Sequence, residues 1–312
     1  MRKLTYVIAM MALLLTGCSQ DESVMENKGE LVTLNYNVSL GSGVQSRNGT
    51  ASDLAINKLL CVVFENGAEV KRDIVSVENG TANYSPKLFS NIEYNIVFWA
   101  YYDSTPNDAD INSCFDMADV SAIKTNTNYN AEGFTEDKHK DAYTEVHTVT
   151  LNGETQSPKV SQTRPFAQLN VLSTKADYDN AVSLGSTPTT CTVKISGFAN
   201  EYNALSKQWG GTATETTLTS QVSSTTVTIN EKVYYYYASE YVFGNGTATT
   251  GTVTVVDQNE KQLYESEELP SIPLGANQRT NLSNENLLTG GGVNYTITIS
   301  QDFSSTENSA SY

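Results

Sequence analysis

Val32-Thr33-Leu34-Asn35-Tyr36-Asn37-Val38-Ser39-Leu40 alternates apolar and polar residues without a break. Successive side chains of a strand point to opposite faces, so a period of two places Val32, Leu34, Tyr36, Val38 and Leu40 together on one side. The stretch reads as one half-buried strand. Near the other end of the chain, Val293, Tyr295, Ile297 and Ile299 alternate with Asn294, Thr296, Thr298 and Ser300 in the same way. Between these two runs lie others: residues 57–64, nearly all apolar, residues 93–102, the most apolar segment of the first half, and residues 143–151. In the second half Cys191, Val193 and Ile195 alternate with polar residues. Val227 and Ile229 lead to Tyr234-Tyr235-Tyr236-Tyr237 and then to residues 241–243, and 252–256 with 262–269 reads as a hairpin. Turn signals separate the runs, among them Asn66-Gly67, Asn79-Gly80 and Asn152-Gly153. Short strands between turns, with no convincing amphipathic helix, predict an all-β protein of two β-sandwiches in series.

The strands fall into residues 30–160 and 161–303, with a loose polar tail over 304–312. Residues 103–140 break the pattern. They hold Pro106 and several Asn and Asp, and 115–123 could form a helical turn. So long an excursion without periodicity is uncommon unless it is functional or partly structured.

Residues 1–17 read as a secretory signal. Arg2 and Lys3 form a positive head, and residues 4–15 an apolar run of about a dozen, too short for the roughly 20 residues that span a bilayer. A small-residue cleavage site, Leu15-Thr16-Gly17-Cys18, follows, and after it an acidic tether over 18–29.

The formal charge is −16, and loss of Arg2 and Lys3 with the signal makes it −18. A field of that sign repels phosphate backbones, which argues against nucleic acid as a partner. Cys61, Cys114 and Cys191 remain after Cys18, an odd number, so no disulfide scaffold is implied. Cys61 and Cys191 sit on the apolar side of strand patterns and read as buried small hydrophobes.

Catalytic chemistry is hard to assemble from this chain. It has two histidines, His139 and His147, no Gly-x-Ser-x-Gly elbow, and no Cys/His spacing suited to zinc. Asp108, Asp110, Asn112 and Asp119 have calcium-loop spacing, but Ser113 stands where the sharp turn needs glycine. The expectation is a protein that is not an enzyme and carries no cofactor. Trp209 and the tyrosine run could form an aromatic platform for a glycan. Against that, alternation along a strand would send two of the four tyrosines to the core and two to the surface.

Leu15-Thr16-Gly17-Cys18 resembles a bacterial lipobox, which implies lipidation of Cys18. The acidic residues after it resemble an export tag for the outer face of the outer membrane. Together with Arg164-Pro165-Phe166-Ala167-Gln168-Leu169-Asn170-Val171, residues 234–243, and Arg279-Thr280-Asn281-Leu282 before Leu287-Leu288-Thr289, these stretches resemble the fimbrillin-like surface lipoproteins of Bacteroides-type bacteria. The resemblance implies two transthyretin-like β-sandwiches, a surface location held by the lipid, and other fimbrial subunits as partners. It also implies a mechanism. Proteolysis after an arginine in the loop following the first strand, here Arg47, would release the strand carrying Val32, Leu34, Tyr36, Val38 and Leu40, and a strand of the next subunit would fill the groove. The alternative expectation is a monomeric surface lipoprotein that binds a glycan or a host ligand.

Overall fold

The computed structural model describes residues 29–41, 56–103, 114–125, 137–229, 231–288 and 295–301. Cys18 and Arg47 lie outside them, as do Asp108, Asp110 and Asn112.

The strands, in order, begin with β1 (Leu31–Thr33), β2 (Tyr36–Leu40), β3 (Lys58–Glu65), β4 (Ala68–Ser76), β5 (Thr81–Tyr84), β6 (Lys87–Phe89) and β7 (Glu93–Tyr101). They continue with β8 (Phe115–Asp116), β9 (Ile123–Thr125), β10 (Tyr143–Thr150), β11 (Lys159–Gln162) and β12 (Phe166–Thr174). After helix α1 (Lys175–Ser183) come β13 (Pro188–Ser196), β14 (Glu201–Asn203), β15 (Gln208–Gly210), β16 (Thr216–Gln221), β17 (Ser223–Ile229) and β18 (Lys232–Phe243). The last are β19 (Asn245–Asp257), β20 (Gln262–Glu265), β21 (Leu269–Gly275), β22 (Gln278–Asn284) and β23 (Thr296–Gln301). The fold is all-β.

A four-stranded sheet, β10-β7-β3-β4, faces a layer made of β11-β2-β5 and the β1-β6 pair. Leu59, Cys61, Val63, Ile96 and Phe98 meet Tyr36, Val38, Ala82, Leu88 and Val160 between them. The β3–β4 hairpin turns on Asn66 and Gly67, both at positive φ (51° and 79°), the geometry that suits an Asn-Gly two-residue turn.

The other face of the four-stranded sheet is also covered. Leu60, Val62, Val97, Trp99 and Tyr101 pack against Phe115, Met117, Val120 and Ile123 and against Phe166, Tyr202 and Phe243. Strand pairing holds this cover in place: β8 and β9 join β14 and β15 in one small sheet, through Tyr202 opposite Ile123. The described part of the 103–140 excursion is therefore short strand, turn and bend, with a 3-10 helix over Asp137–Lys140. Its apolar residues serve the core.

Two larger sheets form the remainder, β17-β18-β12-β22-β23 and β16-β13-β19-β20, with β21 on β19. Leu169, Val171, Tyr237 and Leu282 of one face Cys191, Val193, Val253 and Val255 of the other. Residue 160, where the sequence suggests a division, falls inside β11, which pairs with β2.

Two elements differ from the sequence reading. The run 32–40 is two strands, because Leu34 leaves the β1 ladder and bridges Gln156, while the Asn35 amide donates to Gln156 O at 2.9 Å. Helix α1 stands where the sequence suggests none. It buries only Asp177 and Ala181, so it has no apolar stripe to read. Its start is a Thr174 cap whose hydroxyl accepts from the Asp177 amide at 3.2 Å.

Candidate functional site

Strand β2 lies in the middle of its sheet. It runs parallel to β11, Asn37 opposite Lys159 through Leu40 opposite Gln162, and antiparallel to β5, Tyr36 opposite Tyr84 through Ser39 opposite Thr81. Both edges are thus occupied. The Asn37 amide donates to Pro158 O (3.1 Å) and the Leu40 amide to Gly80 O (3.0 Å). Gly41 closes the strand by donating to Gln162 O at 3.1 Å; a Cβ there would sit 2.4 Å from that same oxygen, so only glycine fits.

The apolar face of the whole 32–40 run, β1 and β2 together, is sunk in the core. Val32, Leu34, Tyr36, Val38 and Leu40 are 0–9% exposed. At about 1.5–3 kcal/mol for each fully buried large apolar side chain, these five are a principal source of cohesion for the first core. Tyr36 is the largest of them. Its ring lies 5.1 Å from Phe98 and 6.4 Å from Tyr84, and its hydroxyl is 3.0 Å from His147 Nδ1. Burial pushes the Tyr36 pKa well above the usual phenol range. Burial likewise lowers the pKa of His147, with Glu145 opposing it. A protonated Tyr36 donating to a neutral His147 satisfies both shifts.

A second polar device joins the first layers to the later ones. Arg164, in the link between β11 and β12, is 1% exposed in its side chain. It donates to both oxygens of Asp141 (2.6 and 2.7 Å), to Asn277 Oδ1 (3.1 Å) and to the Tyr143 hydroxyl. Burial works against the Arg164 charge, but Asp141 outweighs it and holds the pKa above its ordinary value. The sequence reading noted Arg164 only as part of a resemblance. Its partner Asp141 sits in a stretch without periodicity, and only the fold brings the two together.

The aromatic platform does not assemble. Trp209 is half-buried, donates its indole N–H to Pro165 O (3.0 Å) and packs edge-on against Tyr202 at 5.4 Å. Tyr234, Tyr236 and Tyr237 are buried, and Tyr235 is half-buried against Tyr178. Three core tyrosines replace the expected two. Cys61, Cys114 and Cys191 are all buried. Asp119 is used locally, accepting from the Ser121 amide (2.8 Å) and hydroxyl (2.6 Å). Among the described residues no three His, Cys, Asp or Glu side chains group as metal ligands.

The model of a family of unknown function, DUF6562, matches residues 25–311. This chain belongs to that family. No curated protein matches the sequence. Several solved structures resemble this DUF6562 member. A candidate cell adhesion protein from Bacteroides eggerthii is 17% identical, with 88% of this chain and 96% of that one covered and a TM-score of 0.49. A candidate cell adhesion protein from Parabacteroides distasonis is 11% identical, covering 86% and 96%, with a TM-score of 0.49. The fimbrial anchor protein Mfa2 from Porphyromonas gingivalis is 10% identical, covering 86% and 97%, with a TM-score of 0.45. The fold of the DUF6562 chain stands on its own strand pairing.

Proposed function

We propose that this protein is a structural subunit of a cell-surface fimbria, joined to its neighbours by exchange of the N-terminal segment, β1 and β2, that carries Val32, Leu34, Tyr36, Val38 and Leu40. The observation that carries the reading is the position of β2: a short strand at the centre of a sheet, with a full apolar face in the core and a partner on each edge. Its withdrawal would leave β5 and β11 with open edges and the first core with a slot shaped for alternating side chains. A strand of matching alternation from another subunit supplies what was lost, with main-chain hydrogen bonds for affinity and pockets for specificity. The open form would associate promptly, since unpaired edges are aggregation-prone. Arg47 lies in sequence between the described ends Gly41 and Ile56, where cleavage would free the strand from the chain that follows. Lipidation at Cys18 would hold the uncut protein at the outer membrane, and a chain that keeps this anchor would serve at the base of the fibre or as a surface lipoprotein.

The test is the N-terminal sequence and intact mass of the protein recovered from the surface of its native cell. A chain starting at Asn48 supports strand exchange. A chain starting at lipidated Cys18 and found only as a monomer overturns it.

A further inference from the structure

Strand β16 lies at the end of its sheet. It pairs with β13 from Thr216 opposite Ile195 to Gln221 opposite Thr190 without a register shift, and among the described residues nothing pairs with its other edge. The strand is held firmly from within. Leu218 packs on the second core, and the Ser220 hydroxyl donates to one oxygen of buried Glu240 at 2.8 Å while Lys140 reaches the other at 2.6 Å. Thr217, Thr219 and Gln221 face solvent. A row of free N–H and C=O groups on a rigid strand is a template for another strand, and folded proteins ordinarily blunt such rows with charge, proline, bulges or shortness.

Other edges of this molecule are blunted in those ways. Strand β4 carries Glu69, Lys71, Arg72 and Asp73, and β10 carries Glu145 and is bridged to Thr163. Strand β20 is short and ends on Glu265, β21 contains Pro270 and Pro273, and β17 is irregular between Ser223 and Thr226. Strand β23 is uncharged but leads directly into Asp302 in the sequence. Strand β16 lacks these guards: residues 216–230 contain no Lys, Arg, Asp, Glu or Pro.

Charge and symmetry indicate the occupant. The chain carries −16, so two copies repel wherever their charged faces meet, and a neutral face is where they approach at least cost. An antiparallel pair also needs only one sequence, because a two-fold axis sets the strand against itself in an isologous contact. With Leu218 at the axis, Thr217 lies opposite Thr219 of the partner subunit, exposed face beside exposed face, and threonines make favourable cross-strand neighbours. We propose that β16 is a dimerisation edge, at which the β16 strands of two copies pair antiparallel and join two sheets into one. Strand β2 takes no part, so the proposal is independent of strand exchange.

The experiment is sedimentation velocity on the mature chain carrying Arg47→Ala, which keeps cleavage after that residue out of the measurement, over about 1 µM to 1 mM. A reversible monomer–dimer equilibrium is expected, with hydrogen exchange at β16 amides slowed only at the high concentrations. Thr217→Lys combined with Thr219→Lys places lysine opposite lysine and is expected to weaken the dimer about tenfold at unchanged melting temperature; Thr217→Lys combined with Thr219→Glu sets opposite charges together and restores it. A monomer over the whole range, a dimer without protection of β16, a dimer that the two lysines leave intact, or a charge swap no better than the two lysines would each overturn the proposal.

Discussion

The two halves of the molecule bury their cores by different means. In the second half, long strands run side by side: β18 has 12 residues and β19 has 13, and β12 is held by β18 over nine positions and by β22 over six. In the first half, one layer has strands of eight and nine residues, but the layer opposite is assembled from five short strands of three to five residues drawn from separate parts of the chain. A long strand held on both sides cannot leave without dismantling its sheet. In the proposed exchange the short central strand β2 leaves while β10-β7-β3-β4 remains, its outer face covered by Phe115, Ile123 and Tyr202. The proposed exchange thus rests on how that layer is constructed.

Four substitutions sharpen this contrast. The largest effect is expected at the joint between the halves. Asp141→Ala leaves the Arg164 guanidinium buried without its carboxylate, and loss of one partner of a buried pair costs about 3–5 kcal/mol. Urea denaturation should show that loss; a change under 1 kcal/mol would mean that the joint is not a structural tie.

Next comes a matched pair, Leu34→Ala in the first core and Leu169→Ala in the second, at 0% and 1% exposure. Each should cost about 2–5 kcal/mol in the intact chain. The two should part company in exchange kinetics: Leu34→Ala speeds amide hydrogen exchange in β2 and its neighbours β5 and β11, while Leu169→Ala leaves them unchanged. Equal effects on those amides would erase the contrast.

The smallest effect is a pH dependence. His147 has a lowered pKa in the folded state, so on acidification the unfolded chain takes up its proton first, below about 6.5. Stability from the neutral ring and its Tyr36 bond is present above that value and is lost as pH falls towards the folded-state pKa. Melting temperatures at pH 7.5 and 5.5 should diverge less for His147→Gln than for the natural chain. An unchanged slope would remove His147 from the account.

Much of this was legible in the residues. Alternation over 32–40 marked the buried face of the first strand because a period of two survives wherever one face meets a core. It concealed the break at Leu34 and Asn35, since a strand that changes partners keeps its alternation. Helix α1 escaped because its visible signal is local, a Thr174-x-x-Asp177 cap of the [ST]-x-x-[DE] type, whereas its sides carry no stripe. Strands β8 and β9 are two and three residues long and owe their existence to β14, some 80 positions away in the chain. The tyrosine run misled for a related reason: β18 is covered on both faces, so Tyr234 and Tyr236 join Leu172 and Ile229 in a separate cluster. Glu240 gave no signal at all. A lone acid in an apolar strand acquires meaning only when Lys140 and Ser220 are placed beside it.

The central claim is that the segment from Val32 to Leu40 is a replaceable part. Its most direct test is to cleave the purified protein after Arg47, separate the released segment, and add back a synthetic peptide of residues 30–41 while following melting temperature and size. The expected result is a cleaved chain that self-associates and that, given the peptide, returns to a monomer with the melting temperature of the intact protein. A cleaved chain that stays monomeric at the original melting temperature and ignores the peptide would contradict the account.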